Sequence, residues 1–407
     1  MVKCQRYLHF YAVNELINTL LVVYLFHRVL TTTYTIWEAF VYYVVTYTIC
    51  FALLCLLLTV RRRYRPSFSK LHTGKPRFPN MSPRSFRLKS VTARDGIVLQ
   101  VRVTGHRQQT TKKVMIFAPG LGCSGSESLI PIMGHFGDEY TYITWNYRGF
   151  FGSSNTSLDK CRRFLSIAEH ARDCRDILHA CGYQKADVIV GHSMGAPVAF
   201  EFALLFPDQV EKLIVMNGMH GHVYSTAAQP LVRFPFAADM LSVVVEGMMS
   251  RPTLMRQMRL VLLTIFRFVL PFYSWIWQSP LLVDVLGDEY LLRFLEKYLR
   301  DVVSTDENAL NWLRCLHELN AYSCHHVLPE ITQPTLIISG FFDLMTPAMQ
   351  GVEIARRIKN SSHYCDPFSS HASILESPEW CVAEVIYFLE TNKTKKEKKE
   401  KTAVKRQ

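Results

Sequence analysis

Val188-Ile189-Val190-Gly191-His192-Ser193-Met194-Gly195-Ala196 is the stretch on which the reading of this chain turns. Ala186–Val190, apolar but for Asp187, has the character of a buried strand, and Pro197–Phe206 that of a helix behind it. Between them the spacing is G-x-S-x-G, in which the serine takes a strained backbone at the tip of a sharp turn. A side chain at Gly191 or Gly195 is expected to collide with the neighbouring strand or helix. Such a turn lifts Oγ of Ser193 above the sheet. It also aims the helix N-terminus and the Met194 N–H at an oxyanion forming there. An ordinary Gly-rich strand–helix turn has the same five-residue pattern, so the flanking sequence has to decide.

Upstream, Phe86 to Val103 alternates apolar and polar residues around Asp95-Gly96, a hairpin signal. Val114 to Ala118 reads as a short buried strand closed by Pro119-Gly120-Leu121-Gly122. Tyr140 to Trp145 is the next strand and leads into Asn146-Tyr147-Arg148-Gly149-Phe150-Phe151-Gly152-Ser153. Ser166 to Cys181 has helical spacing, and Val210 to Met216 is a further strand. This alternation predicts an α/β fold, a mostly parallel sheet with helices on both faces.

From Phe86 to Thr391 the chain resembles serine hydrolases of the α/β-hydrolase fold. Pro119-Gly120-Leu121-Gly122 stands where such enzymes carry His-Gly or Pro-Gly before the oxyanion-hole residue. The Asn146–Ser154 loop is similar to the family's D-x-R-G-x-G-x-S, with Asn for Asp and one extra residue. Gly191-His192-Ser193-Met194-Gly195 is among the commonest forms of the serine turn. The resemblance implies a serine nucleophile and the N–H groups of Leu121 and Met194 as the oxyanion hole. It implies no metal or organic cofactor.

A serine alcohol needs a base, and the base an orienting acid, in the chain order Ser, acid, His for this fold. Thr335 to Ser339 is an apolar strand ending in Gly340-Phe341-Phe342-Asp343-Leu344-Met345-Thr346-Pro347, which matches the family's G-x-x-D-x-x-x-P. Asp343 thus falls at the carboxyl edge of the sheet, where such folds gather their sites. A helix N-cap before Pro347 is the plainer reading of the same residue. Among 15 histidines, His371 lies in a polar loop before Glu376-Ser377-Pro378 and the last helix, Pro378 to Leu389, close to the family's G-H-x(4)-E-x-P ending. His363 falls within or beside the preceding strand. His192 is expected to be turned away from the site. His220 and His222, with Gly120 and Gly122, are candidates for lining the substrate pocket; loop residues without chemistry are the alternative for the two histidines.

Residues 221–328 interrupt the strand–helix rhythm where the family places a cap. Within them Leu260 to Trp277 is apolar and aromatic, broken by Arg267 and Pro271. A membrane crossing there would put Ser193 and Asp343 on opposite sides of the bilayer. Lid helices over an acyl pocket, touching the membrane surface, are one reading, and a well-packed helical cap is the other.

The chain has 407 residues, 49% of them apolar, and a formal net charge of +12. The basic excess is concentrated in Lys393–Arg406, with eight basic and two acidic side chains, and no nucleic-acid motif accompanies it. Eleven cysteines without C-x-x-C pairs argue for reduced thiols, and Cys324-His325-His326 lacks a partner pair at metal-ligand spacing. Ala39 to Val60 is 22 residues without a formal charge, long enough to span a bilayer, and Arg61-Arg62-Arg63-Tyr64-Arg65 comes directly after it. The positive-inside rule places the chain beyond these arginines in the cytosol. Tyr7 to Phe26 is a second apolar segment carrying His9, Asn14, Glu15 and Asn18, either a hairpin partner or an interfacial helix.

The expected organisation is a membrane anchor of one or two helices over 1–65 and a basic linker over 66–84. The hydrolase core spans 85–220 and 329–391, the cap 221–328, and a disordered basic tail 392–407. The expected activity is cleavage of an acyl ester, a lipid such as a monoacylglycerol in the first instance. Acyl transfer or thioester cleavage on the same residues, and an inactive scaffold of the same fold, are the alternatives. Lipid and membrane are the expected partners, with no nucleic acid and no obligate protein partner. The endoplasmic reticulum or another internal membrane is the expected location.

Overall fold

The computed structural model describes residues 23–25, 27–31, 35, 38–39, 41–43, 45–46, 86–104, 113–123, 129–154, 164–227, 236–261, 263–264, 297–298, 300–367 and 369–404. Strands β1 (Arg87–Thr92) and β2 (Val98–Val103) form the hairpin turned at Asp95-Gly96. They are followed by β3 (Lys113–Ala118), helix α1 (Ile130–Phe136), β4 (Tyr140–Trp145), α2 (Ile167–Ala180), β5 (Val188–His192) and α3 (Gly195–Leu205). Then come β6 (Leu213–Met216), cap helices α4 (Ala237–Ser250) and α5 (Asp306–Ala321), β7 (Thr335–Gly340), α6 (Ala348–Arg357), β8 (Ser361–Asp366) and α7 (Pro378–Val404).

The eight strands lie in the order β1-β2-β4-β3-β5-β6-β7-β8, antiparallel at β1/β2 and β2/β4 and parallel beyond. Strand β5 is central, and because side chains alternate along it, its two faces feed two cores. Ile189 joins Ala171, Cys174, Val198, Phe202 and Ile354 beneath α2, α3 and α6. Val188 and Val190 join Leu129, Ile132, Val382 and Val385 beneath α1 and α7. Burial on both faces is why β5 and β6 read as unbroken apolar runs.

Local signals agree with this packing. Ser166 caps α2 by accepting from the Glu169 N–H, and Thr305 caps α5 from Asn308, with Asp306 and Glu307 at the positive end of that helix. Arg148, 2% exposed, pairs with Asp173 of α2 and Asp95 of the hairpin, tying the loop after β4 to both. The seven described cysteines form no disulfide.

Two expectations need correction or restriction. Over 392–404 the expected disordered tail is instead helical, because α7 continues to Val404, while 405–407 lie outside the described residues. The physical reason is local, since 389–402 holds neither Gly nor Pro and alternates Lys and Glu at helical spacing. Among the described residues no helix is long and apolar enough to cross a membrane. Most of Tyr7 to Phe26, most of Ala39 to Val60, the 66–84 linker and most of Leu260 to Trp277 lie outside the described residues.

Candidate active site

The turn after β5 is as tight as the glycine spacing requires. A Cβ at Gly191 would stand 2.3 Å from the Gly195 carbonyl oxygen, and one at Gly195 would stand 1.9 Å from that of Ala118 in β3. Ser193 between them has φ 54°, a left-handed conformation that costs a non-glycine residue energy. Its Oγ lies 3.0 Å from Nε2 of His371, which comes from the loop between β8 and α7. The His371 Nδ1 lies 3.0 and 2.9 Å from the two carboxylate oxygens of Asp343, at the carboxyl end of β7. Three segments far apart in sequence therefore meet in one hydrogen-bonded row.

Asp343 is 2% exposed, and protein groups take the place of water around its carboxylate. Oδ1 accepts from the N–H groups of Met345 (2.9 Å) and Thr346 (2.7 Å). Oδ2 faces the Asn217 amide nitrogen (2.9 Å) and the Thr346 hydroxyl (2.6 Å). Burial alone would make His371 harder to protonate. The Asp343 carboxylate, with Glu376 behind it, outweighs that and holds the imidazole above its usual range. Glu376 also accepts from Ser370 N–H at 2.8 Å, so it braces the loop that carries His371.

Residues 113–378 match the model of the alpha/beta hydrolase fold. The chain belongs to the α/β-hydrolase fold family. A proline iminopeptidase of Pestalotiopsis fici is 24% identical over 303 residues, covering 73% of this chain and 97% of that protein. Epoxide hydrolase 1 of Caenorhabditis elegans is 38% identical over 84 residues, 20% of this chain and 19% of that one. The crystal structure of the enol-lactonase from Burkholderia xenovorans LB400 superimposes with a TM-score of 0.53 at 18% identity, covering 74% of this chain and 99% of that one.

In this α/β hydrolase the turn after β3 lies against the Ser193 turn: a Cβ at Gly120 would touch Ser193 Cβ and His192 Nδ1, each at 3.3 Å. Leu121 and Met194 are both buried beside it. Neither N–H donates to another backbone carbonyl among the described residues. Gly122 has φ 72° and sits under the cap, where an added Cβ would stand 2.8 Å from both Trp312 and Val302. Asn311, next to Trp312 on α5, donates to the Gly149 carbonyl at 2.9 Å. The cap is thus seated on the turn after β3 and on the loop after β4.

His192 is not turned away from the site. Its Nε2 bonds the His371 carbonyl oxygen at 3.0 Å and the two rings lie 5.3 Å apart. Burial, then the neighbouring His371, pushes it down to about 4, so it is the neutral ring that donates Nε2–H to that carbonyl. His363 lies in β8, 3.1 Å from the Ser339 hydroxyl and against α6. His220 and His222 are used where the cap joins the core. The His220 carbonyl accepts from Cys324 N–H (2.9 Å) and its ring lies tilted against that of His325, while His222 N–H donates to the Tyr322 carbonyl (3.0 Å). Among the described residues neither histidine hydrogen-bonds to Ser193, His371 or Asp343.

Proposed function

We propose that this α/β hydrolase is a membrane-anchored serine hydrolase that cleaves an ester or thioester of a long acyl chain. The observation that carries the reading is the row Ser193 Oγ, His371 Nε2 and Nδ1, Asp343 carboxylate, with each link at 2.9–3.0 Å. Ser193 attacks the acyl carbonyl as His371 takes its proton, and His371 then passes that proton to the leaving alcohol or thiol. Water, deprotonated by the same imidazole, releases the acid. Asp343 keeps Nδ1–H pointed at itself and steadies the imidazolium. The N–H groups of Leu121 and Met194 hold the oxyanion, an interaction whose loss typically costs ~3 kcal/mol of barrier. A serine at the turn separates this chain from epoxide hydrolases of the same fold, whose nucleophile is an aspartate.

A lipid substrate is supported by the cap. Phe236, Met240, Val243 and Val244, at the start of and along α4, are each more than half exposed. Such a face suits contact with a bilayer, and the aromatic sequence from Leu260 to Trp277 continues its character. The charge-free segment Ala39 to Val60 and the arginines after it argue for a cytosol-facing catalytic domain on an internal membrane.

The test is labelling by a fluorophosphonate, followed by kinetics on a short soluble ester and a long-chain ester. Ser193→Ala abolishes labelling, and Asp343→Asn and His371→Ala lower it by orders of magnitude in folded protein. His363→Ala and His192→Ala are far milder. Labelling that survives Ser193→Ala sinks the reading. The topology has its own check: Asn155 and Asn360 each begin an N-x-S sequon, and a mobility shift on endoglycosidase treatment that vanishes with Asn155→Gln or Asn360→Gln would place the domain in a lumen.

A further inference from the structure

Asn217 lies directly after β6, is fully buried, and has φ 48°, the left-handed region in which asparagine is better tolerated than most residues. Every polar atom it owns is engaged. Its N–H donates to the Ile338 carbonyl of β7 (2.8 Å), and its carbonyl accepts from the Thr346 hydroxyl (2.7 Å). One proton of the side-chain amide goes to Asp343 Oδ2 (2.9 Å) and the other to the Ser370 carbonyl (3.0 Å). The Ser373 hydroxyl lies 2.5 Å from the amide oxygen. The orientation of the amide is fixed by chemistry, because a carboxylate and a carbonyl can only accept.

Asp343 and His371 sit on separate loops, after β7 and after β8. Asn217 stands on a third, after β6, and reaches both: the carboxylate itself and the residue immediately before the base. We propose that Asn217 is a positioning residue that sets the register between Asp343 and His371, a role that rests on the serine-hydrolase reading above. An amide suits this task because it gives one proton to each loop without adding charge. A second carboxylate at the same place would repel Asp343, and an aliphatic side chain would leave Asp343 Oδ2 and the Ser370 carbonyl short of a donor. Ser373, on the one-turn helix 373–376 beyond the base, keeps the amide from rotating.

Two roles are separable by substitution. If Asn217 serves only the left-handed turn, glycine replaces it without loss, since glycine takes φ 48° freely. If the amide positions the acid and base, Asn217→Gly loses rate while the turn is kept. The experiment uses the full chain, fluorophosphonate labelling and turnover of a short soluble ester, with thermal unfolding alongside. The labelling rate and kcat of Asn217→Gly are expected to fall ~30-fold or more, with KM within about twofold of wild type. Ser373→Ala is expected to move the same quantities in the same direction by less. Asn217→Asp keeps the size and the tolerance of the turn but has no amide donor, so it is expected to lose rate as well, which covers the case in which Asn217→Gly folds poorly. Wild-type kcat and labelling in Asn217→Gly or Asn217→Asp overturns the proposal alone. A wild-type protein without Ser193-dependent labelling overturns both the proposal and the reading it rests on.

Discussion

The phenolic hydroxyl of Tyr147 donates to the Pro119 carbonyl at 2.8 Å, inside the protein. Tyr147 belongs to the loop after β4 and Pro119 begins the turn that carries Leu121, the oxyanion turn of the proposed mechanism, so one loop holds the other in place. His170 of α2 packs tilted behind the phenol with 4.5 Å between ring centroids. Tyr147→Phe leaves a buried carbonyl without that donor, at a cost of ~1–3 kcal/mol in stability. The turn also loses its fixed height above Ser193, and kcat is expected to fall roughly tenfold with little change in KM. Steady-state kinetics with a soluble ester, read together with Tm, checks both effects. A lower Tm with unchanged kcat would leave Tyr147 as a packing residue only.

Gly122 is where the cap presses on the catalytic face. Gly122→Ala must strain a φ of 72° and push back Trp312 and Val302, each 2.8 Å from the new methyl. The expected loss is ~2 kcal/mol or more of stability together with a rise in KM for long-chain esters. Trp312→Ala should recover part of the packing loss but not the backbone strain. A double-mutant cycle on Tm measures the shared portion, and strict additivity would show that the two residues do not press on each other.

On the proposed mechanism the pH dependence of turnover comes from His371. The base acts only when unprotonated, and the Asp343 and Glu376 carboxylates hold its proton affinity above the ordinary value despite burial. Activity is therefore expected to rise with pH, with its acid limb centred above ~6.5. Glu376→Gln removes one of the two raising charges, so the limb should move to lower pH. A profile of kcat/KM against pH for both proteins decides it, and a shift in the opposite direction refutes the assignment.

Stability responds to acid through other histidines. Burial lowers His170 to about 3 and His192, His220 and His363 to about 4. The unfolded chain, titrating near ~6.5, binds more protons than the folded one between those values and that point. The stability these neutral rings represent is thus intact above ~6.5 and is lost as pH falls from there toward their folded values. His371 and Asp173, both raised rather than lowered, Asp173 by burial to about 6, work in the opposite direction but are two groups against four. Tm is expected to drop between about pH 7 and about pH 5, and His170→Phe, which keeps the ring against Tyr147, should flatten that slope. An unchanged slope would mean that His170 is not the group responsible.

Much of the site is legible in the residues because it depends on local rules. The serine turn declares itself through two glycines that have no room for a Cβ, and Asp343 through an apolar strand ending in a loop. The parts that escape are long-range. Asn217-Gly218 reads as an ordinary turn dipeptide, and nothing nearby shows that its amide reaches residues 343 and 370. The expectation that His192 turns away considers its own strand without the loop that packs over it. Position after β6 makes His220 and His222 pocket candidates, but backbone pairing at the base of the cap claims them instead. The helical run to Val404 is hidden because basic, polar sequence reads as unstructured when its composition also favours helix.

The cap leaves and rejoins the core at one point, where Gly221 pairs with Ser323 as a single antiparallel bridge. The exit of the chain from the core and its return are thereby held side by side at one neck. Ser193 lies before the neck and Asp343 and His371 after it, so their row is assembled by the parallel pairing of β5 to β8 rather than through the cap. Such a closure means that chain length added between the two ends of the neck strains the sheet little, because the ends are already held together.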